Sequence, residues 1–356
     1  MSYAIPLADC TADRAPEVGG KAIGLGSLLR QHRDVPPGFV VPTAAYREWV
    51  AAHGLERELE RLAGGAVDAA DQDAASRAIH DLFLGAALTG DLAEEVAAAY
   101  RGLDEHAEAV VAVRSSATAE DMADASFAGQ QESYLGVTGV ESVLRHVVRC
   151  WASLFTPQAI SYRRRLGIPA GQIAMAVLVQ RLVVAEAAGV MLTIDPVTGD
   201  RSQITIEGAH GLGAPVVGGE LTPDRFTVDK VTLEMRSRAV VPKPFADRFD
   251  PATGAVVRGE LDEAEGAASS LTDEEVLRLA AVGKEVERVH GGAVDVEWAV
   301  GPGPGGPRHL YLLQARPETV WSARQAASIV APQSTALDRM VAVMLGSRRS
   351  HGSQDR

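Results

Sequence analysis

The chain has 356 residues, a formal net charge of −13 and a pI near 5.2, with 46% hydrophobic and 5% aromatic residues. That length allows two domains of ~100–200 residues, and the apolar content excludes a globally disordered chain. The acidic balance argues against nucleic acid or an anionic membrane as a general partner, while a local basic pocket for a nucleotide stays compatible with it.

Met1 to Asp9 lack the basic start and apolar run of a signal peptide, and no stretch reaches the ~20 apolar residues of a membrane span. The two cysteines, Cys10 and Cys150, lie outside any Cys-x-x-Cys spacing, so idle thiols in a reducing cytoplasm are expected. Gly19-Gly20-Lys21-Ala22-Ile23-Gly24-Leu25-Gly26 predicts a glycine-rich turn entering a helix. Its backbone amides and Lys21 suit an anion, but the spacing fits neither a Walker loop nor a dinucleotide fingerprint. Pro36 to Val41 reads as a turn into a buried strand, and residues 43–105 as several helices.

Val110 to Val113 predicts a buried strand that delivers Arg114 into a polar loop running to Gly129. Arg114 there is open to two readings, a phosphate contact beside the hydroxyls of Ser115 and Ser116 or a surface salt bridge. Residues 140–166 read as helical, with Arg163-Arg164-Arg165 spread round a solvated face. Strands are expected over 173–180, 189–194, 204–207 and 225–228. Gln180, at a strand end, either faces a ligand or starts a turn, and Gly208 to Gly213 either approaches a phosphate or makes a tight turn. Residues 241–270 read as a Pro- and acid-rich excursion. Thr272 to His290 predicts a helix, with Thr272 and Glu275 in capping-box spacing. Without regular βα alternation, the fold class expected is α+β.

Asp295 to Val300 and Leu312 to Pro317 alternate polar and apolar residues around the breaker Gly301 to Pro307, which predicts a hairpin. Pairing Val300 with His309 places Asp295, Glu297, Gln314 and Arg316 on one face, and a one-residue slip undoes that. Carboxylate, amide and guanidinium together suit a metal ion and a polyphosphate; an ordinary half-exposed hairpin is the alternative.

In order, these segments resemble a known family. They are Gly19-Gly20-Lys21, Pro36 to Val41, Val113 to Asp121, Ala125 to Gln130, Leu154-Phe155-Thr156, Gly189 to Gly199, Gly211-Leu212-Gly213, Thr222 to Arg225, Asp295 to Trp298 and Leu313 to Thr319. Together they are similar to the N-terminal ATP-binding module of phosphoenolpyruvate synthase, pyruvate phosphate dikinase and rifampicin phosphotransferase, from about Gly19 to Val320.

The resemblance implies an ATP-grasp architecture, with subdomains over residues 1–190 and 191–325 and a tail over 326–356. It implies Lys21, Arg114 and Arg316 on the phosphates of ATP, with Arg114 and Arg316 catalytic. Glu297 and Gln314 are then implied to hold Mg²⁺, and Gln180 to border the adenine. Relatives pass a phosphoryl group to a histidine on a swivelling carrier domain and release AMP. No carrier motif occurs in this sequence, so a partner protein is expected to supply it. Two departures stand out, Ala214 where a Glu usually follows Gly-Leu-Gly and His210 where Trp is frequent. A standalone small-molecule kinase or ligase and a non-catalytic nucleotide-binding scaffold are the alternative functions.

Overall fold

The computed structural model describes residues 2–104, 109–117 and 132–321. The segments 118–131, with Ala125 to Gln130, and 322–356, with the expected tail, lie outside the described residues. The chain divides after Thr319, and the unit up to that point holds every element named below.

In chain order the first elements are β1 (Ile5–Pro6), α1 (Ala15–Arg30), β2 (Gly38–Val41), α2 (Thr43–Ala52), α3 (Glu56–Gly65), α4 (Ala69–Leu84) and α5 (Gly90–Arg101). Then come β3 (Val111–Ala117), β4 (Ser133–Val137), α6 (Val140–Ala152), α7 (Pro157–Leu166), β5 (Met175–Arg181), β6 (Ala187–Leu192) and β7 (Gln203–His210). The remainder are α8 (Ala214–Val217), β8 (Asp224–Asp229), β9 (Met235–Ala239), β10 (Phe245–Asp250), β11 (Ala255–Glu260), α9 (Glu263–Ala267), α10 (Asp273–His290), β12 (Val294–Gly303) and β13 (Gly306–Pro317).

Two antiparallel sheets carry the architecture, in the orders β1-β2-β5-β3-β4 and β13-β12-β6-β7-β8-β9. The class is α+β, as the missing βα alternation predicted. β5 is buried along all but its last residue, which explains its unbroken apolar run. Beside the first sheet, Tyr46, Trp49, Phe83, Trp151 and Phe155 from the helices and the turn after α6 form one core with Val111, Val113, Val177 and Val179. Trp49 and Trp151 stand 5.5 Å apart, centroid to centroid. Val276, Leu279 and Val286 of α10 pack with Ile206, Phe226 and Trp298 of the second sheet. α10 begins as expected: the Thr272 hydroxyl accepts from the Glu275 amide, and the Glu275 carboxylate from the Thr272 amide. Such a cap contributes about 1 kcal/mol. Among the described residues no helix is long and apolar enough to cross a membrane.

Several expectations need correction. The glycine-rich segment is not a turn before a helix; the chain is helical from Ala15 and breaks at Gly19, where φ is +75°. Strand β3 does not stop at Val113; it continues through Arg114, Ser115 and Ser116, because β5 pairs with it along that length. Residues 241–270 are no irregular excursion but contain the β10–β11 hairpin and α9. The arginine run is not one solvated face. Arg163 is buried, donates to the Leu154 carbonyl and lies 5.2 Å from the Phe155 ring centroid. Burial lowers that guanidinium to about 10.

Candidate functional site

The site is built where α1 crosses β3. A side chain at Gly19 would place its Cβ 2.3 Å from the Ser116 carbonyl oxygen, so the kink permits both the positive φ and the close approach. Ser116 Oγ donates to the Val18 carbonyl at 2.8 Å and accepts from the Ala22 amide at 3.4 Å. Lys21, only 6% exposed, donates from Nζ to the Ser115 carbonyl at 2.9 Å. Ser115 and Ser116 are therefore fully buried parts of the α1–β3 junction, not flexible loop donors. Further along α1, a Cβ at Gly24 would stand 2.4 Å from the Ala315 carbonyl oxygen, so that glycine lets the helix also rest on β13.

The hairpin of β12 and β13 supplies the facing groups. Asp295 pairs with Arg316 and Glu297 with Gln314, while Val300 pairs with Leu310 rather than His309. A bulge between Glu297 and Trp298 reconciles the two stretches. Leu313 is the extra residue, so Leu312 and Ala315 both reach the core although three positions separate them. The pairing was misjudged, yet Asp295, Glu297, Gln314 and Arg316 share a face. Strict alternation could not reveal a bulge.

Arg114 of β3 reaches across to this face. Its Nη2 donates to Glu297 Oε2 at 2.8 Å and to Gln314 Oε1 at 3.1 Å. Burial by itself would raise the Glu297 carboxyl; the Arg114 guanidinium together with Lys21 and Arg316 outweighs it, and the carboxyl is held below its ordinary value. Asp295 goes the other way. Its burial raises the carboxyl despite Arg316, which donates from Nε and Nη2 to Oδ2 at 3.0 and 2.8 Å. Carboxylates pushed apart in this manner concentrate at functional sites.

Arg114 and Glu297 also line a cavity of about 360 Å³. Gln180 lines it as well; it sits inside β5, with Nε2 donating to the Pro36 carbonyl at 3.1 Å, so it does not start a turn. The walls are mainly apolar, with Leu182, Ala188, Leu212 and Leu313. None of these four was among the site residues expected from the sequence. Leu182 and Leu212 follow strands, where periodicity carries no signal, and Leu313 is exposed to the cavity by the bulge. Ala214 presents a methyl group to the cavity where the resemblance leads to a carboxylate, and His210 bonds to the Ala268 carbonyl at 3.1 Å. The structure thus brings Arg114, Glu297 and Gln314 into contact, sets Lys21 and Arg316 within electrostatic reach of Glu297, and puts Gln180 in the same cavity wall as Arg114.

The donor set can be tested against a metal. Glu297 Oε2 and Gln314 Oε1 converge on one point, marked by Arg114 Nη2. Two hard oxygens from protein, with other positions left to phosphate and water, fit Mg²⁺. Among the described residues no group of three or more His, Cys, Asp or Glu offers a fuller protein cage.

Fold and site together define an α+β protein with a mainly apolar cavity lined in part by a paired guanidinium and carboxylate. The model of the family described as pyruvate phosphate dikinase, AMP/ATP-binding domain, matches residues 15–336. The chain belongs to this family, and ATP is the ligand that membership supports. It is 39% identical to a probable phosphoenolpyruvate synthase of Staphylothermus marinus over 350 residues, covering 91% of this chain and 42% of that protein. It is 38% identical to the phosphoenolpyruvate synthase of Aeropyrum pernix, with 90% and 42% covered. A rifampicin phosphotransferase from a Streptomyces species is 40% identical, with 88% and 36% covered. The chain therefore spans less than half the length of these curated relatives.

Proposed function

We propose that the chain is the ATP-binding component of a dikinase-type phosphotransferase, with an ATP-grasp arrangement and subdomains meeting near residue 190. It would act with a phosphoenolpyruvate synthase-like or rifampicin phosphotransferase-like system in the cytoplasm. One phosphoryl group of ATP passes to a histidine of a carrier domain on a partner, a second goes to another acceptor such as water or phosphate, and AMP leaves. The observation that carries this reading is the meeting of Arg114, Glu297 and Gln314 beside a mainly apolar cavity that Arg114 and Glu297 line.

In this reading the base lies in the apolar wall, bordered by Gln180, with the phosphates toward Arg114. Lys21 and Arg316 flank Glu297 and neutralise the polyphosphate, and Glu297 with Gln314 would hold Mg²⁺. When bound, the ion supplies charge neutralisation to the phosphoryl oxygens. The protein groups position and neutralise; none is asked to form a covalent bond, which suits phosphoryl transfer.

The test is incubation of the chain with ATP labelled at separate phosphates and a carrier-domain protein. AMP and labelled phosphohistidine are expected. ADP formed without a partner would replace this reading with a small-molecule kinase or ligase, and tight binding without turnover would replace it with a scaffold.

A further inference from the structure

The two oxygens suited to a divalent ion are already engaged by a side chain. Arg114 Nη2 lies 2.8 Å from Glu297 Oε2 and 3.1 Å from Gln314 Oε1, at the point where both converge. A small cation that binds oxygen at ~2.1 Å would draw on the same two oxygens, and a guanidinium already bonded to both competes with it for them. The side chains of Arg114 and Glu297 are 13% and 21% exposed, so solvent screens their attraction only in part.

The arrangement suits the carboxylate better than the arginine. Arg114 Nε is buried with no hydrogen-bond partner among the described residues. A ligand that brings several acceptor oxygens would satisfy the guanidinium more fully and release Glu297 and Gln314. A triphosphate has that chemistry; a free metal ion has not. Lys21 and Arg316 also act on Glu297, so its charge keeps compensation when Arg114 leaves.

We propose that Arg114 is the resident counter-cation of Glu297 and Gln314 in the nucleotide-free protein. The site therefore resists free divalent ions and accepts one only together with a nucleoside triphosphate, whose phosphate oxygens take Arg114 in exchange. This rests on the nucleotide reading given above and adds an order of occupancy to it.

The test follows free Mn²⁺ by its paramagnetic resonance signal at pH 8, with the full chain. Without nucleotide, Arg114→Gln is expected to bind one Mn²⁺ at least tenfold more tightly than the unmodified protein, and Glu297→Gln added to it is expected to abolish that site. No gain in Arg114→Gln, or a gain that survives Glu297→Gln, overturns the proposal. Should Arg114→Gln fail to fold, the unmodified chain decides. Tight nucleotide-free Mn²⁺ binding that Glu297→Gln removes overturns the proposal, and Mn²⁺ binding beyond what a non-hydrolysable ATP analogue takes up alone, seen only with analogue and protein together and lost in Glu297→Gln, upholds it. Calorimetry with ATP, read beside the carrier-phosphorylation assay, separates the two ideas. ATP binding and the Mn²⁺ gain without AMP or phosphohistidine remove the function reading alone, and AMP and phosphohistidine without the Mn²⁺ gain remove this proposal alone.

Discussion

Arg114 and Glu297 are 183 positions apart in the chain, and their side chains meet at 2.8 Å. The contact joins β3 of one sheet to β12 of the other, and both residues line the cavity. Both groups need a partner there, because a partly buried charge left alone loses solvation without compensation.

Glu297→Gln keeps the shape of the side chain and removes its charge. Turnover with a carrier partner is expected to fall by about 100-fold or more, on the order of losing one preorganised electrostatic contact. AMP formation at saturating ATP measures it. Unchanged AMP formation would remove Glu297 from the reactive end of the site.

Gly19 and Gly167 both have positive φ, +75° and +67°, but only Gly19 is enclosed. A Cβ at Gly19 meets Ser116, whereas one at Gly167 meets nothing within 4 Å. Gly167→Ala should cost about 1–2 kcal/mol, the strain of a left-handed alanine. Gly19→Ala adds a backbone clash at the α1–β3 junction and should lower the thermal midpoint further, and with it ATP affinity through Lys21. Thermal melts and calorimetry of the two variants compare them directly.

Lys243 and Asp224 form an ion pair with both side chains 0% exposed. Lys243 Nζ also donates to the Val241 and Ala268 carbonyls, and Asp224 accepts from the Val241 and Ser270 amides. Lys243→Met leaves a buried carboxylate and is expected to cost about 3–5 kcal/mol. Adding Asp224→Asn should recover part of that loss, since the uncompensated charge is then gone. Urea titration of the single and double variants gives the coupling; a double variant as unstable as the sum of the singles would contradict it.

Acid should weaken the α10 terminus. Burial alone would raise the Glu275 carboxyl, but Arg308 and the Thr272 amide hold it below the ordinary value. A lowered carboxyl contributes stability that is present above its unfolded value of ~4.3 and lost as pH falls through its folded value. Glu275→Gln is therefore expected to flatten the fall in stability between about pH 5 and pH 3. Denaturant midpoints across that range test it, and parallel curves would count against the bond from Arg308.

Much of this was legible in the residues because it depends on neighbours in the chain. The apolar run of β5, the capping box at Thr272 and Glu275, and the alternation around Glu297 are local patterns, and local sterics and hydrogen bonding decide them. What Arg163, Ser115 and Ser116 do was not legible. A polar side chain reads as solvated until a distant segment covers it, and here Leu154, Phe155, Val18 and Lys21 do so.

By itself the sequence determined most of the elements, the α+β class and the order of motifs that leads to the family. Only the tertiary structure decided the β12–β13 register with its bulge at Leu313 and the contact of Arg114 with Glu297 and Gln314. Periodicity reports which way a side chain faces along its own strand. Which groups meet across a cavity depends on how two sheets and one kinked helix pack, and no local pattern encodes that distance.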